Sequence, residues 1–372
     1  MLPAVLFMAL GPLAHAAPPV APAVASPPSP RHLPGSSASV AAPPDESGLW
    51  TVPFGGDLIP YVGTSMVHRG ADRRLLSVGV FNLSGAIEGV EGSLAGSLVR
   101  QDVVGVQASV GVNLVGGDVD GVQGAAGANL VRGGVDGIQL AAGANLSQGE
   151  VDGVQGAAGV NYAGAAVDGA QASGGLNVAV ADVDGLQVAP VNYAGGHVDG
   201  VQVGVLNIAR SVDAPIGLVN IVREGRTHVD AWGSETGFLN TAFKHGGDHV
   251  HNLYGFGYRP GSDCQEWSLL LGIGGHIPVA RRFAVDPELF VQHVSPTGTF
   301  VAAPNLLSTL RVRGVLSLGD HLALTAGVSA NGWISTVHDG ARYVPFAEPV
   351  DADMGAGVAR FWPGVSAGVQ LF

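Results

Sequence analysis

The sequence GVQGAAGANLVRGGVD occupies residues 121–136. It is preceded by GVQASVGVNLVGGDVD at 105–120 and followed by GIQLAAGANLSQGEVD at 137–152 and GVQGAAGVNYAGAAVD at 153–168. Gln107, Gln123, Gln139, Gln155, Gln171 and Gln187 stand sixteen apart, and Gln202 follows after fifteen. Asn113, Asn129, Asn145, Asn161 and Asn177 keep the same step, with Asn192 and Asn207 closing to fifteen. A constant period this short signals a solenoid of stacked coils. Within a unit, Val122, Gly124, Ala126, Ala128 and Leu130 alternate with Gln123, Ala125, Gly127 and Asn129, which is the period of a strand. Frequent glycine argues against helix. Coils stacked in register pair their strands in parallel at about 4.8 Å, so eight units make a rod of roughly 40 Å.

This geometry predicts a narrow interior of Val, Ala, Leu and Gly. It predicts amide ladders of Gln and Asn on an exposed face, each side chain bonding to the coils above and below. The Asp-Gly steps from Asp120-Gly121 to Asp199-Gly200 read as turns, with glycine free to take positive φ. The rival is an up-and-down antiparallel barrel. Barrels vary their loop lengths between the two ends, and here the step hardly varies.

Outward from the array, residues 1–17 read as a signal peptide, with an apolar run and the small-x-small triplet Ala14-His15-Ala16. Residues 18–48, rich in Pro, Ala and Ser, read as an extended linker. Residues 49–88 carry strand-like runs at 58–67 and 75–83 and read as N-terminal strands and a cap, since terminal repeats are atypical. The solenoid is assigned to 89–226. Pro190 cannot donate a ladder bond and is expected to mark a bulge or a change of coil shape.

Residues 227–372 change character. Trp267, Leu269, Leu271 and Ile273 share a face, as do Phe283, Val285, Leu289 and Val291 opposite Asp286, Glu288 and Gln292. Long strands with one apolar and one polar face are the pattern of a transmembrane β-barrel. About six such strands are visible, fewer than the eight a bacterial barrel needs, so the run 58–83 is a candidate to complete one. Residues 336–354 read as an outward loop. The expected fold is therefore all-β: a parallel β-solenoid of 15–16-residue coils, then an antiparallel, outer-membrane-barrel-like β domain.

The 372 residues carry 17 Lys and Arg against 30 Asp and Glu, a net charge of −13. No basic patch exists to meet phosphates, which excludes nucleic acid as the first partner. The Asp row suggests calcium, but the dense G-G-x-G-x-D pattern is absent, and turn-forming Asp-Gly explains it more simply. His245, Asp248, His249 and His251 make a short cluster with zinc-like spacing, His249 and His251 sharing a strand face. Cys264 is the sole cysteine, so no disulfide forms within the chain. His293, Ser295 and Glu288 hold the residue types of an outer-membrane lipid or ester hydrolase, without a nucleophile elbow.

The units GVQ…GVNL, GVQVGVLNIA and IGLVNI, with the later GFLNTAFKHGGDHVHNLYGFGYRP and WSLLLGIGGHIPVARRFAVDPELF, resemble leptospiral-type surface repeat-containing proteins of Gram-negative bacteria. The resemblance covers about 75–372. It implies surface or outer-membrane placement and carries over no catalytic residue and no cofactor. The resulting expectation is a non-enzymatic, exported structural or adhesive protein. Its Gln, Asn and Asp faces would bind a surface protein or glycan, and its C-terminal domain would anchor it.

Overall fold

The computed structural model describes residues 47–261, 265–296, 303–336, 340–344, 349–353 and 357–372. The stretch read as a signal peptide, nearly all of the stretch read as a linker, and Cys264 lie outside the described residues. The repeats form a parallel β-solenoid with two strands per coil. In one coil these are Val119–Ala125 and Ala128–Val131. Each residue stands over its equivalent: Val135 pairs between Val119 and Val151, and Gln139 between Gln123 and Gln155.

The interior differs from expectation. Its apolar half is a column of Val at positions such as Val119, Val131, Val135 and Val151. Its other half is the amides themselves. Gln107, Gln123, Gln139, Gln155, Gln171, Gln187 and Gln202 and every Asn from Asn113 to Asn192 have 0% exposure. The repeated Gln/Asn face is therefore the inside of the coil rather than an exposed surface. The residues alternating with them face outward, among them Val106, Val122, Ile138, Val154 and Leu186. Asp120, Asp136, Asp152, Asp168, Asp184 and Asp199 are also exposed.

The Asp-Gly steps are not turns. They lie inside the long strand of each coil, and the turns fall at residues such as 126–127 and 132–134. Glycine is required there for two reasons. Gly153 has φ +132°, and a Cβ on it would stand 2.0 Å from the carbonyl oxygen of Gly137 in the coil before. Only a residue without a side chain accepts both conditions. Pro190 sits in a turn and its carbonyl accepts from Val205 and Leu206 N–H. The register slip comes one coil later, between Val198 and Val201.

The run at 75–83 belongs to the stack as a degenerate first coil: Asp72–Ser84 pairs in parallel with Ala86–Val99 on one side and with Trp50–Gly55 on the other. The run at 58–67 is no long strand. It is a two-strand turn, Asp57–Ile59 with Val62–Gly63, and a short helix, Thr64–His68. Neither run contributes to the barrel. Beneath this cap Arg74 is fully buried and donates to Asp57 at 2.9 Å and to Asp72. Burial pushes the Asp57 carboxyl up, but hydrogen bonds from Ser65, Leu83 and Arg74 outweigh it and hold the group below its ordinary value.

The C-terminal domain closes on its own with eight antiparallel strands. They are β1 (Arg226–Ser234), β2 (Leu239–Gly246), β3 (Val250–Arg259), β4 (Glu266–Gly275), β5 (Phe283–Pro296), β6 (Asn305–Ser317), β7 (Leu322–Ser335) and β8 (Val358–Leu371). β1 pairs with β8 through Val229↔Leu371, which completes the barrel. The segment expected to be an outward loop folds partly inward. Tyr343 is fully buried, packs with Phe238 and Trp333, and donates its hydroxyl to Glu266 at 2.9 Å.

The solenoid ends against the barrel wall. Asp248 N–H donates to the Val212 carbonyl and His249 N–H to that of Asp213, so the β2–β3 turn takes the place of the next coil. Tyr254 donates its hydroxyl to the Leu218 carbonyl at 2.8 Å, and Val222 N–H donates to His245 Nε2 at 3.1 Å.

Candidate functional site

Two polar interiors carry the chemistry of this chain. In the solenoid, Gln123 donates through Nε2 to Gln107 Oε1 at 2.7 Å, and the same bond recurs up to Gln202→Gln187 at 2.8 Å. Every Gln donates toward the N-terminal coil. The ladder ends on the buried carboxylate of Glu91, which accepts from Gln107 Nε2 at 2.8 Å and from the hydroxyls of Ser77 and Ser97. At the far end Gln202 Oε1 is buried without a hydrogen-bond partner, facing the register position of Pro215.

The Asn ladder runs the other way. Asn113 Nδ2 donates to Asn129 Oδ1, and each Asn donates to the next coil at 2.8–3.0 Å as far as Asn207→Asn220. Its second N–H closes on a backbone carbonyl, as from Asn129 to Leu140 and from Asn145 to Gly156. The final donor, Asn220, bonds Asn252 on the outer side of β3, so the ladder passes out of the solenoid into the barrel wall.

In the barrel, the lumen holds ions. Lys244 Nζ lies 3.2 Å from Asp230 and 3.3 Å from Asp286 and bonds Glu288. Arg311 also bonds Glu288, and Arg313 lies 2.6 Å from Asp230 and 3.3 Å from both Asp286 and Glu288. Three carboxylates thus meet three cations. The Arg311 guanidinium also stacks 4.4 Å from the centre of the Trp232 ring. Above this layer a cavity of about 10 Å³, lined by Asn240, Gln292, Thr309 and Asn331, has room for about one water. The mouth beyond is closed by Phe238, Leu307, Trp333, Tyr343 and Trp362. The barrel is a filled plug rather than an open channel.

The candidates taken from the sequence separate. His251, Asp286 and Glu288 come together with their ligand atoms within 4.8 Å. The Lys244 ammonium already stands among these carboxylates, where a metal ion would sit. His249 belongs to the turn and does not share a strand face with His251. His245 lies on the outer side, bonded to Val222 and Thr227. The hydrolase set does not assemble. Glu288 faces the lumen, while His293 and Ser295 lie at alternate positions of β5 that face the other way, with Glu288 five residues off, roughly 16 Å along the strand. Along the Asp row, Asp213 meets Asp199. Burial, with the hydrogen bond and the charge of Asp199, pushes the Asp213 carboxyl up.

The outer surface of the barrel is the feature that single-strand reading saw only in fragments. The outward positions of all eight strands carry no Asp, Glu, Lys or Arg among the described residues. They carry Leu239, Phe243, Phe256, Leu269, Leu271, Leu289, Leu310, Leu324, Val328 and Val365, all exposed. No model of a known protein family matches the chain, and no curated protein matches it.

Proposed function

We propose that the C-terminal domain spans a lipid bilayer of the outer-membrane kind and anchors the solenoid, which acts as a rigid, non-enzymatic structural module. The observation that carries this reading is the reversal of polarity across the barrel wall. Six paired charges lie inside and an uncharged apolar belt lies outside. In water such a belt is a large exposed apolar surface, while in lipid it is the expected exterior of a barrel. Closure satisfies every strand edge, the condition for β structure in hydrocarbon.

The connections support a sidedness. Residues 247–249, 276–282 and 318–321 link strands at one end, together with the start of β1 and the end of β8. The strand connections of the other end include the two longest in sequence, the eight residues between β5 and β6 and the twenty-two between β7 and β8. Bacterial barrels keep short turns on the periplasmic side and long loops outside. The solenoid joins the short-turn end, so its role is structural on the periplasmic side rather than adhesive at the cell exterior. The resemblance of its repeats to leptospiral-type surface repeat-containing proteins points to the same membrane.

The test is fractionation of the expressed protein, followed by electrophoresis with and without boiling. Recovery with outer membranes and faster migration when unboiled is expected of a closed barrel in lipid. Recovery as soluble protein with no change on boiling overturns the reading.

A further inference from the structure

The charges of the solenoid are confined to one of its two long edges. In residues 89–222 the ionisable side chains other than buried Glu91 lie at the turn near Arg100, Asp102, Asp118, Arg132, Glu150, Asp182, His197 and Arg210, or in the Asp row two residues beyond it. The opposite turns carry none. They are built largely of Gly and Ala, with Leu94, Val110, Val205 and Leu218 exposed, and Leu140 and Val188 exposed near the ends of the strands that lead into them. Leu94 is 67% exposed, Val110 61% and Val205 56%, and together they line one edge as a contiguous apolar strip, the kind of surface that marks an interaction site.

The attachment to the barrel gives these edges a depth. The Asn ladder follows the stack, and its last bond is to Asn252, an outward side chain of the wall. The stack therefore leaves the barrel sideways rather than along its axis. On the last coil, Val212 and Asp213 bond the turn at the very rim, through 248 and 249. Leu218, on the apolar edge, bonds Tyr254, five residues further up the wall, roughly 17 Å along a strand that tilts across the barrel and so roughly 13 Å deeper. An apolar notch of about 290 Å³ joins the two surfaces there, lined by Ile216 of the coil and by Val250, Ile273, Leu289 and Leu310 of the wall.

We infer that the apolar edge of the solenoid is sunk in the hydrocarbon of the leaflet on the short-turn side, with its charged edge in water. This rests on the membrane reading of the barrel. The occupant is lipid because the edge is continuous with the barrel belt at the same depth. The edge also meets the requirement lipid imposes on backbone. Its turn N–H groups donate to the coil before, as from Ala126 to Ser109 at 3.1 Å and from Gly143 to Gly127 at 2.8 Å. The amides that would be costly in hydrocarbon are all inside.

The experiment is site-directed spin labelling of the full chain, with Cys264→Ser as background, reconstituted in phospholipid vesicles. Labels go at Leu140→Cys and Val205→Cys on the apolar edge, at Arg132→Cys on the charged edge, and at Leu310→Cys on the barrel wall. These side chains are exposed, so substitution leaves the core intact. Collision with oxygen, which partitions into lipid, is compared with collision with a water-soluble nickel chelate. Oxygen dominating at 140, 205 and 310 and nickel dominating at 132 supports the inference. Oxygen dominating at 310 with nickel dominating at 140 and 205 overturns it and leaves the barrel in the membrane. Nickel dominating at all four overturns both.

Discussion

The solenoid and the barrel both bury rows of polar groups and expose many apolar ones, yet the polar part of each interior is filled with the opposite kind of group. The solenoid uses neutral amides, and the barrel uses charges. The difference follows from symmetry. A solenoid repeats by translation, so each interior residue has a copy of itself about 4.8 Å above and below. A residue in that position must be complementary to its own copy. An amide is, because it both donates and accepts. A carboxylate or an ammonium is not, and stacked like charges repel. The one interior carboxylate of the array, Glu91, sits where the Gln row ends and serines replace the next amides. A barrel closes by rotation through unlike strands, so Lys244 on β2 meets Asp230, Asp286 and Glu288 from β1 and β5.

This contrast can be broken from either side. The largest effect is expected in the lumen. Lys244→Met leaves three carboxylates facing one another with one cation fewer, and breaking a buried ion cluster costs about 3–5 kcal/mol. Urea unfolding followed through the heat-dependent gel shift measures it, and a loss under ~1 kcal/mol would sink the idea that the charges are coupled.

Next is the ladder. Gln155→Leu orphans Gln139 Oε1 and one N–H of Gln171 Nε2, whose other bond is to the Val178 carbonyl, and both groups are buried. Each orphan costs about 1–3 kcal/mol. Hydrogen exchange should show the loss confined to neighbouring coils, since repeats communicate only with their neighbours. Uniform loss across the chain would contradict that.

The N-terminal cap is the solenoid's exception, a charge cluster where the repeat fails. Asp57 has a folded pKa below its unfolded one. Its contribution is complete above the unfolded value of about 3.9 and is lost as pH falls through the lower folded value. Hydrogen exchange of Trp50–Ser84 should therefore quicken in acid before that of the central coils. Equal acceleration in both would separate the cap from Asp57. The smallest effect belongs to the outer Asp row. Asp136→Asn removes an exposed charge flanked by Asp120 and Asp152 and is expected to change stability by no more than about 0.5 kcal/mol, toward greater stability. A large destabilisation there would indicate a bound cation.

The strand period, the parallel stacking and the change of fold near residue 226 were legible in the sequence, because each is a matter of spacing. The side on which Gln123 and Asn129 lie was not. Alternation says that two faces differ, and the usual assumption assigns the polar face to water. That assumption fails when polar groups satisfy one another. The count of about six barrel strands fell short of eight for a related reason, since lumen charges such as Asp230 and Lys244 stand among apolar residues and blur the alternation in sequence. The charge cluster itself joins residues from 230 to 313 on four strands, β1, β2, β5 and β6, and exists only through the register of the closed barrel. The hydrolase set failed on parity alone, since an odd spacing between Glu288 and His293 places them on opposite faces.

The self-complementary ladder also makes coil number a free variable. Each central coil presents the same donors, acceptors and glycine to the coil before and after it. Removing residues 135–150 would bring Gln155 onto Gln123 and Asn161 onto Asn129 with no bond left open. The two ends differ, since one is fixed by Arg74 and Glu91 and the other by Asn252. Between them the molecule is a ruler graduated in steps of about 4.8 Å. Duplication or loss of whole units would change its reach without disturbing its fold.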